Sequence, residues 1–295
     1  VAFEYTFDKT WSNQNVNKAS IDYTTVELAK IQTATTSSLE TTHQSTDYNA
    51  INLYANYRYS WNDTHNLSLM GGFNQESSDW KKLYTYSYDM INEKYPSHST
   101  ATGENKVITD DHRVYTVRGA FYRVNYDYKG KYLFETNGRY DGSSKFPKKN
   151  RFGFFPSFSV GWRISNEAFM KGTEDWLNNL KIRASYGEVG NDVYKVNGVK
   201  QRFLYQAVWT QIANDYHFGT TGYTGIYESQ YPNYAVTWER AHKYNLGLEF
   251  GLWNGLLNGN IDVFYEKRND ILTPYLTRPQ WVGVNMAAGN LGETN

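Results

Sequence analysis

Tyr122-Arg123-Val124-Asn125-Tyr126-Asp127-Tyr128-Lys129-Gly130-Lys131-Tyr132-Leu133-Phe134-Glu135-Thr136-Asn137 is the stretch on which the fold turns. Apolar and polar residues alternate strictly on each side of Lys129-Gly130, the period of a β-strand with two unlike faces. Ala120, Tyr122, Val124 and Tyr126 share one face, with Arg123, Asn125 and Asp127 on the other. In the return strand Tyr132, Phe134, Thr136 and Tyr140 oppose Glu135, Asn137, Arg139 and Asp141. Keeping both apolar faces together requires an odd-length loop. Tyr128-Lys129-Gly130 supplies one, with glycine at the position that favours a left-handed backbone. That register sets Asp127 opposite Lys131 and Arg123 opposite Glu135, two favourable cross-strand pairs.

Two further hairpins follow the same logic. Asn254-Gly255 joins Val236–Trp253 to Leu256–Asp270 and opposes Leu252 to Leu257, Leu248 to Ile261, Leu246 to Val263 and Tyr244 to Tyr265. Lys243 then meets Glu266, and Glu249 meets Asn260, on the second face. Ala50–Trp61 returns as Asn66–Asn74 through Asn62-Asp63-Thr64. Residues 152–165 and 180–186 alternate as well, separated by a short segment at 166–178 with room for one helical turn. Pro156 lacks a ladder donor, so a bulge or kink is expected there.

Composition agrees with strands that separate lipid from water. The 295 residues include 27 Tyr, 15 Phe and 9 Trp, yet mean hydropathy is −0.71. A transmembrane β-barrel has this profile, because each strand alternates a lipid face with a watery one. Thirty basic residues balance thirty acidic ones, against the basic excess of a nucleic-acid binder. Zero cysteines exclude disulfides, thiolate metal sites and cysteine nucleophiles. No apolar run approaches the roughly 18 residues of a membrane helix.

Connection lengths alternate. Short turns fall at Asn62–Thr64, Tyr128–Gly130 and Asn254–Gly255, and long segments at Asp79–Asp111, Gly142–Asn150 and from Gly190 to Ala235. Short turns at one end and long loops at the other describe an outer-membrane barrel. The reading is all-β, a transmembrane antiparallel barrel of about ten or eleven strands forming one incomplete domain over residues 1–295. The two early strands fall around Val1–Phe7 and Ile21–His43. The first and last residues look like those of a fragment.

Several blocks in order resemble the SusC/RagA family of TonB-dependent outer-membrane transporters of Bacteroidetes. They are Arg139–Phe146, Arg151–Ser165, Leu180–Asn191, Thr237–Arg240 with Tyr244–Phe250, and the tail Gly289–Asn295. The resemblance implies a barrel of about 22 strands, of which this chain is a middle-to-late part. It also implies a plug domain that TonB contacts, a SusD-like surface lipoprotein, and a glycan or peptide cargo. The chain contains no plug-like segment and no terminal aromatic strand.

No residues converge on catalysis, and no cofactor or metal is expected. The six histidines are scattered, and Asp110-Asp111-His112 alone offers neighbouring ligands. Three sets of candidates remain. Arg123, Glu135, Arg139, Arg163, Arg183 and Glu249 fall on the lumen face, as a wall for hydrophilic cargo, a seat for a plug, or simply the paired charges of any wet surface. Tyr84, Tyr86, Trp209, Tyr216, Tyr223 and Tyr227 fall in long loops, to stack on sugars, contact the lipoprotein lid, or pack on one another. Lys145, Lys148, Lys149 and Arg151 form a basic loop cluster facing lipopolysaccharide phosphates or solvent. The leading expectation is energised nutrient import. The alternatives are a passive porin or structural barrel without a plug, and a soluble carbohydrate-binding β-protein.

Overall fold

The computed structural model describes residues 1–24, 31–104, 106–274 and 283–295. In chain order the strands are β1 (Ala2–Lys18), β2 (Ile21–Thr24), β3 (Ile31–Thr35), β4 (Ser38–Trp61), β5 (His65–Tyr88), β6 (Val107–Tyr128), β7 (Tyr132–Ser143), β8 (Phe152–Arg163) and β9 (Leu177–Asn191). They continue as β10 (Tyr194–Val196), β11 (Val199–Gln201), β12 (Val208–Phe218), β13 (Thr221–Tyr231), β14 (Glu239–Leu252), β15 (Leu257–Thr273), β16 (Asn285–Met286) and β17 (Gly289–Thr294). Ten of these form one sheet in the order β1-β4-β5-β6-β7-β8-β9-β14-β15-β17. Strands β2–β3, β10–β11 and β12–β13–β16 form small sheets of their own. Residues 25–30, within the expected second strand, lie outside the described residues.

By contacts the chain divides into two compact units. One comprises Val1–Glu4, Asn52–Gln75 and Thr116–Asn295, and the other Tyr5–Ile51 and Glu76–Tyr115.

The β14–β15 hairpin has the expected register throughout, with Leu252↔Leu257, Leu246↔Val263, Tyr244↔Tyr265 and Lys243↔Glu266 paired. Its connection is wider than a two-residue turn. Trp253, Asn254 and Gly255 all take positive φ, and the Leu256 amide donates to the Trp253 carbonyl at 3.1 Å. Strand β4 ends at Trp61 and β5 begins at His65, which makes Asn62-Asp63-Thr64 the turn.

The β6–β7 hairpin keeps the expected faces but not the expected register. Tyr128 pairs with Tyr132, Asp127 with Leu133, Asn125 with Glu135 and Arg123 with Asn137. The loop is therefore Lys129-Gly130-Lys131. A two-residue slip leaves every side chain on its original face, so alternation is blind to it. The Asp127 carboxylate instead accepts the Gly130 amide at 2.8 Å and closes the loop, while Lys131 pairs with Glu167 at 3.0 Å.

Pro156 makes neither bulge nor kink in the β7–β8 ladder, where Gly138↔Pro156 sits in unbroken register. Pairing of β8 with β9 stops at Ser157↔Gly187, one residue short of the proline. The missing N–H falls where that ladder has ended.

Strands β4, β5 and β6 are far longer than alternation implied. At about 3.3 Å per residue, the 24-residue β4 and β5 each extend roughly 80 Å. A bilayer needs only about 9–11 tilted residues. Strand β7 fits that need. From Tyr132 to Gly142 its rise, tilted by about 40°, covers roughly 25 Å, the height of an outer-membrane apolar band. Tyr132, Phe134 and Tyr140 on this strand, and Phe154, Phe158 and Val160 beside it, are all exposed. Leu246, Val263 and Ile261 are exposed on the same kind of face, at 56%, 66% and 56%. An apolar surface so continuous calls for lipid, since it could not face water.

Buried apolar residues lie elsewhere. Phe146, Phe155, Val236, Trp238 and Leu272 form a cluster, with Tyr194, Leu204 and Tyr205 packed against it. Phe155 lies on β8 and Leu272 on β15, so this knot ties the long-connection ends of those strands to the segment after β9. Gly190 makes room for it, because a Cβ there would lie 2.2 Å from the Phe155 ring.

Candidate functional site

The polar face of β6–β9, β14 and β15 carries a lattice of charge. Arg183 reaches Glu249 at 3.3 Å and Asp262 at 2.7 Å, and Lys181 also reaches Glu249 at 3.3 Å. Gly247 lies between Arg183 and Asp262 in register, and a Cβ there would meet both side chains. The glycine lets the ion pair cross over the middle strand. Arg123 reaches Glu135 at 3.5 Å on the diagonal rather than directly opposite. Arg139 binds Asp141 through two nitrogens at 2.8 Å and Asn74 at 2.9 Å. Arg163, expected as a wall charge, donates to the Gly130 carbonyl at 3.1 Å and fastens a turn.

An open pocket of about 600 Å³ lies on this face, lined among others by Arg58, Asn66, Asp127, Glu135, Lys181 and Arg183. Five of the six sequence-predicted wall residues, Arg163 aside, are thus held mainly by neighbouring side chains in a half-exposed, water-accessible surface. Such pairs contribute modestly to stability, each within about 1 kcal/mol. Their geometry fixes alternating charge across this face.

The aromatic candidates do not lie in loops. Tyr84 and Tyr86 belong to β5, where Lys82 stands 5.9 Å over the Tyr84 ring and Tyr86 lies tilted against Tyr88 at 6.3 Å. The signal was present: Tyr84-Thr85-Tyr86-Ser87-Tyr88 is alternation, and the strand simply continues beyond membrane depth. Trp209 and Tyr216 lie on β12, Tyr223 and Tyr227 on β13. These two strands form a hairpin through Gly219-Thr220, with Gly219 at φ 68° as such a turn requires. Tyr216 pairs directly with Tyr223, and Tyr227 follows on the same face with Ile212 and Phe218. Trp209 lies on the opposite face with Ile226. Trp209, Tyr216, Tyr223 and Tyr227 are each exposed to more than 40%, whereas Tyr84 and Tyr86 are half-buried; the β12–β13 hairpin is an aromatic blade outside the main sheet.

Residues that sequence reasoning had assigned otherwise hold this end together. Lys145, expected in a basic loop cluster, is mostly buried and bonds Asp192 at 2.9 Å. Ser143 Oγ donates to the same carboxylate at 2.7 Å. Arg151 turns back to the Phe146 carbonyl at 3.4 Å, and Trp238 Nε1 donates to the Arg151 carbonyl at 2.9 Å. His112 pairs with Asp79 at 2.9 Å within strands rather than at a loop end.

Alternating faces, an aromatic lipid side and a charged inner side define this chain as part of a transmembrane antiparallel β-barrel. A family model described as TonB dependent receptor-like, beta-barrel matches residues 1–295, and the chain belongs to that family, whose place is the bacterial outer membrane. TonB-dependent receptor P26 of Formosa agariphila is 30% identical over 241 residues, 80% of this chain and 23% of the relative. TonB-dependent receptor SusC of Bacteroides thetaiotaomicron is 36% identical over 160 residues, 53% of this chain and 15% of the relative. The solved structure of the RagAB peptide transporter superposes with a TM-score of 0.79 at 21% identity, over 99% of this chain and 30% of that one. The chain thus spans less than a quarter of the curated relatives named here.

Proposed function

We propose that this chain is wall and loop-end surface of an importer of the SusC type, taking up oligosaccharides or peptides in company with a SusD-like lipoprotein and driven through TonB. The observation that carries the reading is the division of one ten-stranded antiparallel sheet into an exposed apolar face and an ion-paired polar face, in a chain matched along its whole length by the receptor-barrel family. The neighbour described as a peptide transporter supports a peptide cargo, and the SusC relative supports the family's partnered type.

The polar face supplies a wetted wall. The blade of Tyr216, Tyr223 and Tyr227 supplies large, rigid, amphipathic contacts at low entropic cost, suited to flat sugar faces or to a partner surface. The test is uptake of labelled oligosaccharides and peptides by cells carrying the whole transporter, with and without TonB. Loss of uptake without TonB, together with co-purification of a surface lipoprotein, is expected. Uptake unchanged without TonB would instead make the barrel a passive pore.

A further inference from the structure

We infer that the lipid-facing end of β6–β8 binds the phosphate of an outer-leaflet lipid headgroup. Arg118, Gly142 and Phe152 lie in one row across these three strands, Arg118 pairing with Gly142 and Gly142 with Phe152. By alternation, Arg118 and Phe152 share the apolar face with Tyr140 and Phe154. Gly142 marks the upper limit of the roughly 25 Å apolar band counted from Tyr132. Arg118 is therefore a cation on the lipid side, at headgroup height.

Its guanidinium lies 5.5 Å from the Phe152 ring, and Phe152 stacks on Tyr140 at 5.2 Å. Lys148 and Lys149, both exposed, form the short turn that enters β8 only a few residues before Phe152. Among the described residues, no acidic side chain pairs with Arg118, Lys148 or Lys149. The contrast with the rest of the basic cluster is informative. Lys145 is committed to Asp192 and Arg151 to the Phe146 carbonyl.

Arg123, Arg139, Lys181 and Arg183 on the inner wall each have a carboxylate partner and Arg163 a carbonyl, while Arg118 on the lipid side and the two lysines of the adjoining turn have none among the described residues. A guanidinium suits a phosphate because its donors form a planar fork, and two ammonium groups nearby add charge. The aromatic shelf below offers a flat surface to the sugar or glycerol that bears the phosphate. The chemistry fits a phosphorylated glycolipid and, equally, free phosphate, and the experiment separates the two sources.

The intact transporter is placed in nanodiscs of zwitterionic phosphatidylethanolamine containing lipid A, either phosphorylated or enzymatically dephosphorylated, and retained glycolipid is measured by native mass spectrometry. Phosphorylated lipid A is expected to bind preferentially. The triple variant Arg118→Gln, Lys148→Gln, Lys149→Gln is expected to weaken that binding about a hundredfold, three cations each acting near an anionic headgroup. Removing the phosphates should cost the wild type a similar factor, a comparison that needs no variant to fold. Equal binding of the dephosphorylated lipid, or undiminished binding by a folded triple variant, overturns the proposal. So does displacement of the lipid by inorganic phosphate at matching concentration, which would make this a free-phosphate site.

Discussion

Trp238 joins three segments through one side chain. Its ring packs on Phe146 at 5.2 Å and Phe155 at 5.3 Å, and its Nε1–H donates to the Arg151 carbonyl 87 residues away in sequence. Replacing Trp238 with Ala removes a large buried ring from the knot and takes one of that carbonyl's two donors, the Ser143 amide remaining at 3.2 Å. The expected cost is about 3–5 kcal/mol, read as a lowered urea midpoint for the whole barrel in liposomes. An unchanged midpoint would show that the knot is not what holds the segment after β9. From sequence, Trp238 and Phe146 were visible only as marks of family resemblance. Nothing in period or spacing says that two aromatics so far apart will meet, and the same holds for Lys145, whose neighbours in sequence are basic while its neighbour in space is Asp192.

Strands follow rules of period and are more legible. Leu246 sits midway along β14 on the lipid side, 56% exposed. Leu246→Arg should cost about 2–4 kcal/mol, as for a cation at the bilayer midplane. Ser185→Arg, on the polar face of the adjacent strand, should stay within about 0.5 kcal/mol. The two are compared by folding into liposomes under denaturant, and equal penalties would contradict the assignment of faces. The turns carry a second prediction. Glu167, in the connection between β8 and β9, accepts from Tyr132, from Lys131 at 3.0 Å and from Trp162 Nε1 at 3.2 Å. These bonds, that from Tyr132 foremost, hold its carboxyl down at about 2. Because the folded value lies below the ordinary 4.5, its contribution is present above pH 4.5 and fades as pH falls toward about 2. Glu167→Gln should flatten the stability profile in that window and leave it unchanged above; a profile of unaltered slope would refute the role. The register slip in β6–β7 belongs to this scale as well: Lys131 was drawn to Glu167 from a neighbouring turn, a partner no local rule supplies.

At the scale of the whole molecule, the β12–β13 blade is separate from the ten-stranded sheet that crosses the membrane. Replacing residues 208–231 by a short Gly-Ser linker should leave the barrel able to insert, seen as a heat-modifiable band on gels, while uptake of cargo falls to background. Undiminished uptake would remove the blade from the proposed recognition surface. Alternating polarity determined by itself that the chain forms strands, which face of each meets lipid, and which end carries the short turns, because a strand's period of two is written locally in every residue. How far β4–β6 run past the bilayer, which carboxylate each lysine meets, and how the motif residues close into one knot were decided only by tertiary structure. Those outcomes depend on distances between segments remote in the chain, where backbone geometry and competing partners, rather than neighbouring side chains, set the balance of energies.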